Sequence, residues 1–546
     1  MTIIIDFLLK MMYNSKCDTM ITGGQTMKKI AKILSVALAV MIVFIGNAIP
    51  ASAAGESYLT IKDYGGFAMV TDCNTTASGT IDIPSTYEGV SVTHIGNNAF
   101  KDCTRITQVN IPSSVTSVGS NAFDSCEVLT KVVFEGSTCD IKAAAFNNCG
   151  MLESVTLPSS LKSVADKTFY GCRTLASISI PSTVTSIGKE AFGLCSSLAS
   201  VTIPASVTSI GKNAFIGCNS VSSYGVASGN SVYSSVSGVL YGPYEAGVNT
   251  AKTLIQYPNA KTQTSYTVAS GTKIIADYAF GDNTNLTNVT LPSGLEKIDS
   301  YAFYNCKKLS SVTLPSTVTY LGSQSFGRCP ALKSITIPAS VETFESAFYK
   351  SGLETVVILN GVKTIGTKAF ENCTSLTSVE IPASVKTIDI GAFYGCTSLG
   401  NLNVPATVTT LNTGAFQGCD NITLWVESGS AAHTYAVNNS VNYEIGTYKI
   451  DKTVKSISVL NLPSITSYYY KDTLDTTGLV LSVNYTDGTS ETVKSGYEVT
   501  PKKLSKTGSQ VITVTYEDCT ATFSVNVSYA WWQWIIRILL LGFLWY

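Results

Sequence analysis

Residues 192–215 read FGLCSSLASVTIPASVTSIGKNAF and contain one complete unit of the repeat that decides the fold. Val201 and Ile203 alternate with polar residues, which is the two-residue period of a strand with one buried face. Pro204 ends this strand because proline has no N–H group to donate to a ladder. We expect Gly211 to permit a backbone turn that a side chain would hinder. The Ala-Phe pair that closes the unit is expected to start a tight turn, a 3₁₀ turn or a helical corner.

The same unit recurs along most of the chain. It is marked by thirteen phenylalanines, spaced 22 or 23 residues apart except at one long gap: Phe100, Phe123, Phe146, Phe169, Phe192, Phe215, Phe280, Phe303, Phe326, Phe348, Phe370, Phe393 and Phe416. A unit of this size cannot bury its own apolar face, so neighbouring coils must stack and pair their strands. The sequence therefore predicts a β-solenoid of about thirteen 22–23-residue coils with a parallel strand ladder and short turns or helical corners.

The repeat pattern, Phe-x-x-Cys-x-x-Leu-x-x-Val-x-Ile-Pro followed by Val-x-x-Ile-Gly-x-x-Ala-Phe, closely resembles the BspA-like leucine-rich repeat. The resemblance covers about residues 58–445. Residues 81–96 resemble the opening unit of that family, and residues 430–443 resemble its closing helix and strand. The resemblance implies a leucine-rich-repeat-like solenoid on a bacterial surface protein. Caps at both ends are physically required, because a bare terminal coil would expose unpaired strand edges.

One unit is much longer than the others. Phe215 and Phe280 are 65 positions apart, 42 more than one period, and the insert at residues 219–265 resembles the long variant unit of the same family. We expect a short hairpin excursion that rejoins the stack near Val268. Insertions in solenoids often carry binding, although this one is equally well read as a tolerated structural variant. On the binding interpretation, its candidate ligand contacts are Tyr233, Tyr241 and Tyr257.

A column of cysteines follows the phenylalanines. Eleven cysteines lie three residues after a repeat phenylalanine: Cys103, Cys126, Cys149, Cys172, Cys195, Cys218, Cys306, Cys329, Cys373, Cys396 and Cys419. Stacked coils would bring neighbours within the roughly 4.4–6.8 Å between Cα atoms that disulfides need, and export would permit oxidation. Buried free thiols are nevertheless favoured, because Asn283 and Ser351 fill this position in two units and cysteine packs well as a small hydrophobe.

The composition and motifs argue against an enzyme, a metal-binding protein or a nucleic-acid-binding protein. Only 13% of residues are charged, with 36 Lys and Arg against 37 Asp and Glu, so no basic stripe is expected to bind phosphate backbones. The two histidines, His94 and His433, fall in the opening and closing units, and no Cys-x-x-Cys pair or nucleotide-binding motif is present. We predict no catalytic residue, no metal and no cofactor, although a paired-carboxylate glycosidase is formally possible.

The outward strand positions carry mainly hydroxyl and amide groups. Such groups offer weak, repeated hydrogen bonds rather than the Trp, Tyr and Arg anchors of protein interfaces. The pattern breaks near the two ends at Gln108, Asn110, Lys131, Glu380, Asn401 and Asn403. The candidate ligand-facing positions are Ser154, Thr156, Ser177, Ser179, Ser200, Thr202, Asn288, Thr290, Ser311, Thr313, Ser334 and Thr336.

Three functions are compatible with this surface. The first, which the resemblance also implies, is a non-enzymatic, adhesin-like protein that binds a host or microbial surface protein or glycan through the repeat array. The second is a structural spacer or envelope component without a specific ligand. The third, an ice- or crystal-binding array, is disfavoured because the column beside the threonines is mostly serine. We expect a monomer.

The N-terminal region resembles an export signal. Lysines at positions 28, 29 and 32 precede an apolar run over residues 33–45 and a small-residue cleavage site at residues 51–53. This predicts a signal peptide at residues 27–53, a secreted or cell-surface location, and a solenoid over residues 54–446. Residues 1–26 are interpreted as an upstream extension from a misassigned start codon. A genuine N-terminal membrane helix is the alternative.

Beyond the repeats, residues 447–528 alternate like strands. Five strands are predicted, with Asp487-Gly488 as a hairpin turn between two of them. The segment resembles bacterial Ig-like domains, which implies an all-β sandwich that serves as a stalk. The tail, residues 529–546, is apolar and rich in tryptophan, which indicates membrane or envelope contact or, alternatively, a partner-docking peptide.

Overall fold

The computed structural model describes residues 58–243, 252–448, 453–485 and 490–542. The predicted signal peptide at residues 27–53 and the upstream segment 1–26 lie outside the described residues. The chain forms a β-solenoid of about sixteen turns, followed by a β-sheet region. The turns beyond the thirteen phenylalanine-marked repeats come from the opening unit, the insert and the closing unit. The predicted solenoid is therefore confirmed, with more turns than the thirteen counted from phenylalanine.

The predicted strands of most units pair in parallel in five successive sheets, which are together called the first ladder. Ser200–Ile203 is the member from the unit quoted above, and it pairs residue for residue with Ser223–Val226. The strands of the first ladder are Gly79–Asp82, Ile106–Ile111, Lys131–Phe134, Ser154–Val155, Ser200–Ile203, Ser223–Val226, Ser265–Thr267, Asn288–Thr290, Ser311–Val312, Ser334–Ile337, Thr355–Ile358, Ser378–Glu380, Asn401–Asn403, Thr423–Val426 and Asn442–Ile445.

Most coils also contribute a two-residue strand just before the Ala-Phe corner, and these strands belong to a second ladder that the sequence did not predict. Ser209–Ile210, for example, pairs in parallel with Ser186–Ile187. The strands of the second ladder are Ala68–Cys73, Val90–Ile95, Ser117–Val118, Asp140–Ile141, Ser163–Val164, Ser186–Ile187, Ser209–Ile210, Thr253–Gln256, Ile274–Ile275, Lys297–Ile298, Tyr320–Leu321, Thr343–Phe344, Thr364–Ile365, Thr387–Ile388 and Thr410–Leu411.

The corner between the ladders is a run of hydrogen-bonded turns around the repeat phenylalanine. The Phe192 ring is fully buried and stacks between Phe169 and Phe215, with centroid distances of 5.6 and 5.7 Å. Residues two before and two after the phenylalanine take left-handed backbone conformations, as at Asn213 (φ 58°) and Gly217 (φ 71°). The expected tight turn is present, and it buries an aromatic column along the solenoid.

Gly211 serves a different purpose from the one predicted. Its φ is not in the left-handed region, so no turn requires a glycine there. A Cβ at this position would instead lie 2.5 Å from the Lys189 nitrogen and 2.7 Å from the Gly188 carbonyl carbon. Neighbouring coils approach backbone to backbone at this point, and only glycine leaves room for that approach.

The insert is built into the solenoid. Ser234–Val236 and Val239–Gly242 form the predicted hairpin, and Val239–Gly242 then pairs antiparallel with Thr253–Gln256. Thr253–Gln256 in turn pairs in parallel with Ile274–Ile275 of the second ladder. The next residue, Tyr257, stacks its ring on Phe280 at 5.1 Å. The second ladder therefore resumes at Thr253, whereas the first ladder resumes at Ser265–Thr267, next to Val268 as expected.

Both ends of the solenoid carry additional elements. At the start, Leu59–Asp63 pairs antiparallel with Ala68–Cys73, and Thr86–Tyr87 pairs antiparallel with Val90–Ile95. At the end, the helix α1 (Ala431–Asn438) lies between Thr423–Val426 and Asn442–Ile445, and its Tyr435 ring packs edge-on against Phe416 at 5.9 Å. The closing helix and strand expected from the sequence are present.

After the repeats, the five predicted strands are found, together with two more. They form two sheets around a separate core, with strands Val454–Asn461, Val480–Tyr485 and Ser490–Val493 in one and Ser467–Tyr469, Cys519–Ser528, Gly508–Tyr516 and Glu498–Thr500 in the other. The predicted turn at Asp487-Gly488 lies outside the described residues, but the strands that flank it pair antiparallel. A helix, α2 (Trp531–Gly542), follows.

Candidate functional site

The exposed side of the first ladder is the surface that the sequence indicated. All twelve candidate positions on it are exposed. Parallel register aligns the coils, so that Ser265 lies beside Asn288 and Asn288 lies beside Ser311. Ser177 and Ser179, in contrast, lie in a segment without strand pairing, so the predicted strand is absent there.

The hydrogen-bonding groups of these twelve side chains are not used within the described part of the protein. Residues immediately before the same strands behave differently. The Thr130 hydroxyl donates to the Thr107 carbonyl at 2.9 Å, and the Thr287 hydroxyl donates to the Thr264 carbonyl at 3.1 Å, each one coil back. The hydroxyl groups just before the strands therefore form hydrogen bonds between coils. The donors and acceptors of the outward positions are available to solvent or a ligand.

At the N-terminal end of the ladder, polar side chains bond to one another within one strand and to the neighbouring coil. The Gln108 amide donates to Asn110 Oδ1 at 2.8 Å, and the Asn110 amide donates to Asp82 Oδ1. Lys131 is exposed on the next coil. The side-chain amides of Gln108 and Asn110, which the sequence singled out, are therefore engaged in this network. Of the three residues singled out at this end, Lys131 is the one that is charged and exposed.

The C-terminal end of the ladder contains a cleft of about 280 Å³. Its polar wall is formed by Ser378, Glu380, Asn401, Asn403 and Tyr448, above an apolar floor from Val379 and Ile381. The sequence singled out the glutamate and the two asparagines because they interrupt the hydroxyl pattern, and the structure brings these three residues together.

Two aromatic residues that sequence reasoning missed complete this cleft region. Trp425 lies beside Asn403 on the next strand, and its Nε1 donates to Asn401 Oδ1 at 2.9 Å. The Tyr448 ring lies 5.5 Å from the Trp425 ring, and the Tyr448 backbone N–H and carbonyl are both bonded to the Asn403 amide, at 2.8 and 3.0 Å. The sequence did contain a signal for Trp425: it lies 22 residues after Asn403, which places it at the equivalent position of the next coil. Trp425 borders the 280 Å³ cavity rather than lining it, and the name cleft covers the lining residues together with Trp425.

The tyrosines of the insert are core residues, and the expectation that they contact a ligand was wrong. Tyr233, Tyr241 and Tyr257 are 3%, 0% and 0% exposed. The Tyr233 hydroxyl accepts from the Ile210 N–H at 2.8 Å, and the Tyr241 hydroxyl bonds to that of Tyr266 at 2.6 Å. Burial raises the pKa of Tyr233 to about 12. Their rings fill the space where the insert interrupts the regular coils, so none of these three side chains is available to a ligand.

The cysteine column consists of buried free thiols, as predicted. The Cys195 Sγ donates to the Phe169 carbonyl at 3.1 Å, and most other interior members repeat this contact with the phenylalanine one coil back. Burial raises the pKa of Cys195 well above its usual value. Since the thiolate is the reactive form, interior thiols of the column such as Cys195 are poor nucleophiles in the folded protein.

The histidines are engaged in local contacts at opposite ends of the array. His94 Nδ1 lies 2.7 Å from the Thr93 hydroxyl, and His433 Nδ1 accepts from the Gly429 N–H at 3.0 Å. Among the residues that the structure describes, no group of three or more His, Cys, Asp and Glu side chains could hold a metal ion.

A second feature missed from the sequence is a tyrosine cluster on the corner side of the solenoid. The Tyr278 and Tyr301 rings stack at 4.7 Å, Tyr304 packs edge-on against Tyr301 at 5.4 Å, and the Arg328 guanidinium lies 5.8 Å from the Tyr304 ring. Tyr278 and Tyr301 both have left-handed φ values, which are uncommon for bulky side chains. Because these two rings cover each other, the cluster is poorly suited to stack a planar or sugar-ring ligand.

Comparison with known proteins gives matches over both regions. The repeats match the model of the BspA type leucine rich repeat region, in six copies, over residues 93–222, 257–373 and 344–460. Residues 463–527 match the bacterial Ig-like domain, group 3. No curated protein matches the chain.

Solved structures of bacterial repeat proteins share the fold. A leucine-rich repeat protein from Eubacterium ventriosum is 27% identical, with a TM-score of 0.51 over 66% of this chain and 92% of its own. The pneumococcal vaccine antigen PcpA is 22% identical, with a TM-score of 0.50 over 74% of this chain and 100% of its own.

Proposed function

Because the chain belongs to the BspA-type leucine-rich repeat family and continues into a bacterial Ig-like domain, we propose that it is a non-enzymatic, adhesin-like protein, secreted or displayed on the cell surface. Its ligand is a surface protein or a glycan bound along the first ladder. The two matched families are typically binding or structural domains, and neither is catalytic.

The cleft is the observation that supports ligand binding most strongly. It combines a tryptophan and a tyrosine with two amides and a carboxylate in an otherwise hydroxyl-lined surface. Tryptophan and tyrosine dominate binding energy at protein interfaces, and a few fixed polar groups beside apolar surface provide specificity in pockets. The hydrogen bonds from Trp425 to Asn401 and from Asn403 to Tyr448 hold these groups in place before a ligand arrives, which lowers the entropic cost of binding.

The outward hydroxyl column extends this surface. The coil next to the cleft has the buried Thr355 and the apolar Val357 at the outward positions. Beyond that coil the column runs N-terminally over many coils, and its unused donors and acceptors suit an elongated ligand that makes many weak contacts. In this arrangement the cleft supplies the anchor and the column supplies the orientation of the ligand.

The test is a screen of the full chain against arrays of glycans and extracellular-matrix proteins, followed by titration of any ligand found. We expect Trp425→Ala to weaken binding by at least about tenfold, since hot-spot tryptophans contribute about 2 kcal/mol or more. Tyr320→Ala is the matched control, because Tyr320 is an exposed aromatic residue (45%) on the second ladder. Equal affinity of both variants would refute the cleft as the binding site.

The alternative is a structural spacer, and one observation favours it. Outward positions between Ser154 and Thr336 carry no tryptophan, tyrosine or arginine, so that part of the ladder has no strong anchor of its own. A spacer would bind no array component, and no component would raise its melting temperature, since only ligands of the folded state do so.

A further inference from the structure

The helix α2 (Trp531–Gly542) exposes a concentration of apolar side chains. Trp531, Trp532 and Trp534 are 75%, 51% and 52% exposed, and four aliphatic residues between positions 535 and 539 are also exposed. Large exposed apolar patches mark interaction sites, because water disfavours such surface. At 100° per residue, the seven exposed positions span an arc of about 200°, wider than the roughly 100° stripe of a helix that packs on a protein core.

The start of this helix is fixed to the Ig-like domain. The Gln533 amide nitrogen donates to the Tyr470 carbonyl at 3.1 Å, while its amide oxygen accepts from the Ala530 N–H at 3.0 Å. The Tyr529 ring packs against the rings of Tyr470 and Trp534, at 5.2 and 5.4 Å. Gln533 lies in the part of the helix circumference not covered by the apolar arc. Trp534 thus contacts the domain through Tyr529, whereas Trp531 and Trp532 are held at the same edge of the domain with their rings largely exposed.

Exposed lysines surround the same edge. Lys471 directly follows Tyr470, and its backbone N–H donates to the Leu504 carbonyl at 2.7 Å, which brings residues 502–506 beside it. Lysines 471, 502, 503 and 506 are all exposed. Asp472, the acid next to Lys471, accepts a hydrogen bond from the Tyr469 N–H at 2.7 Å. Positive charge thus lies next to the apolar helix.

We propose that α2 and these lysines dock the Ig-like domain onto an anionic phospholipid surface, with the helix lying in the interface. Tryptophan favours the boundary between headgroups and acyl chains, and basic residues beside an apolar helix are attracted by anionic lipids. In the described residues, no helix is both long and apolar enough to cross a membrane. A wide apolar arc beside a cationic rim fits a lipid surface better than the single apolar stripe that a protein groove requires.

The test is flotation of the full chain with vesicles of phosphatidylcholine alone and of phosphatidylcholine with phosphatidylglycerol at 3:1. We expect binding to the anionic vesicles, a blue shift of tryptophan fluorescence and weaker binding at high salt. The double variant Trp531→Ser, Trp532→Ser should reduce binding at least about tenfold, whereas Tyr320→Ser, an exposed aromatic change on the solenoid, should leave it unchanged. Because the changed residues are exposed, the melting temperature should stay the same for both variants.

Two further results separate the lipid surface from other occupants. Lys502→Glu with Lys503→Glu should abolish the preference for anionic vesicles. Failure of the unmodified chain to float with either vesicle would overturn the proposal. A second result would also overturn it: the unmodified chain forms a concentration-dependent dimer in sedimentation, the double tryptophan variant does not, and neither binds vesicles. The helix would then pair with a second copy of the chain. Neither result bears on ligand binding at the cleft.

Discussion

Replacing Gly211 by alanine tests whether the coils are in backbone contact along the second ladder. The new Cβ would lie 2.5 Å from the Lys189 nitrogen, where ordinary contact begins at 3.4 Å, so the two coils must separate by about 0.9 Å. The Gly211 N–H donates to the Ile187 carbonyl at 2.8 Å at this same junction. Separation by that amount would stretch this hydrogen bond to about 3.7 Å, beyond the usual limit.

We therefore expect Gly211→Ala to lower the free energy of unfolding by about 1–3 kcal/mol from overpacking, and by about 1 kcal/mol more from the stretched hydrogen bond. Gly400→Ala is the matched control, because a Cβ there meets nothing within 4 Å and the backbone is not left-handed. That change should be neutral or stabilise by about 0.4–1 kcal/mol, since alanine restricts the unfolded chain.

Urea unfolding of the full chain, followed by far-ultraviolet circular dichroism, measures both effects. Gly211→Ala should move the transition of the solenoid to lower urea concentration, whereas Gly400→Ala should leave it unchanged or move it to higher urea concentration. A Gly211→Ala protein that is as stable as the unmodified chain, or that matches Gly400→Ala, would contradict the close approach of the coils.

Three further changes test the core. Phe303→Ala should cost about 3–5 kcal/mol in urea unfolding, because its ring is fully buried in the aromatic column, and a loss below 1 kcal/mol would contradict that packing. Tyr233→Phe should cost about 1–3 kcal/mol by leaving the Ile210 N–H without its acceptor, whereas Tyr320→Phe at an exposed site should have no effect. Burial raises the pKa of Cys218 from 9.0 to about 12, so its contribution to stability is complete below pH 9 and is lost as pH rises toward 12. Unfolding midpoints should therefore fall above pH 9, and a flat profile from pH 9 to 11 would argue against buried thiols.

The sequence predicted the solenoid because the phenylalanine spacing and the alternation around Val201 repeat over many coils. It did not reveal the second ladder, since a strand of two residues such as Ser209–Ile210 has too few positions to show a period. Gly211 was assigned to a turn because the distance between coil backbones cannot be read from one coil.

For the candidate site, too, the sequence predicted some residues correctly and missed or misassigned others. Glu380, Asn401 and Asn403 were detected because they break a regular outward pattern. Tyr448 was missed because it follows the last strand of the solenoid and reaches the cleft only through its bonds to Asn403. Tyr233 was misassigned because a tyrosine in an insert looks exposed from sequence, and only the tertiary structure shows that its hydroxyl has a backbone partner.

The buried thiol column has a consequence for handling and lifetime of the protein. In the native fold these sulfurs are shielded from peroxide and from small disulfides, because oxidation requires an accessible thiolate. Heating exposes them together in one flexible chain, where air oxidation would cross-link residues that never meet in the solenoid. Such links would prevent the coils from restacking, so heat inactivation in air should be irreversible and governed by the rate of unfolding, while a reducing agent should restore recovery on cooling.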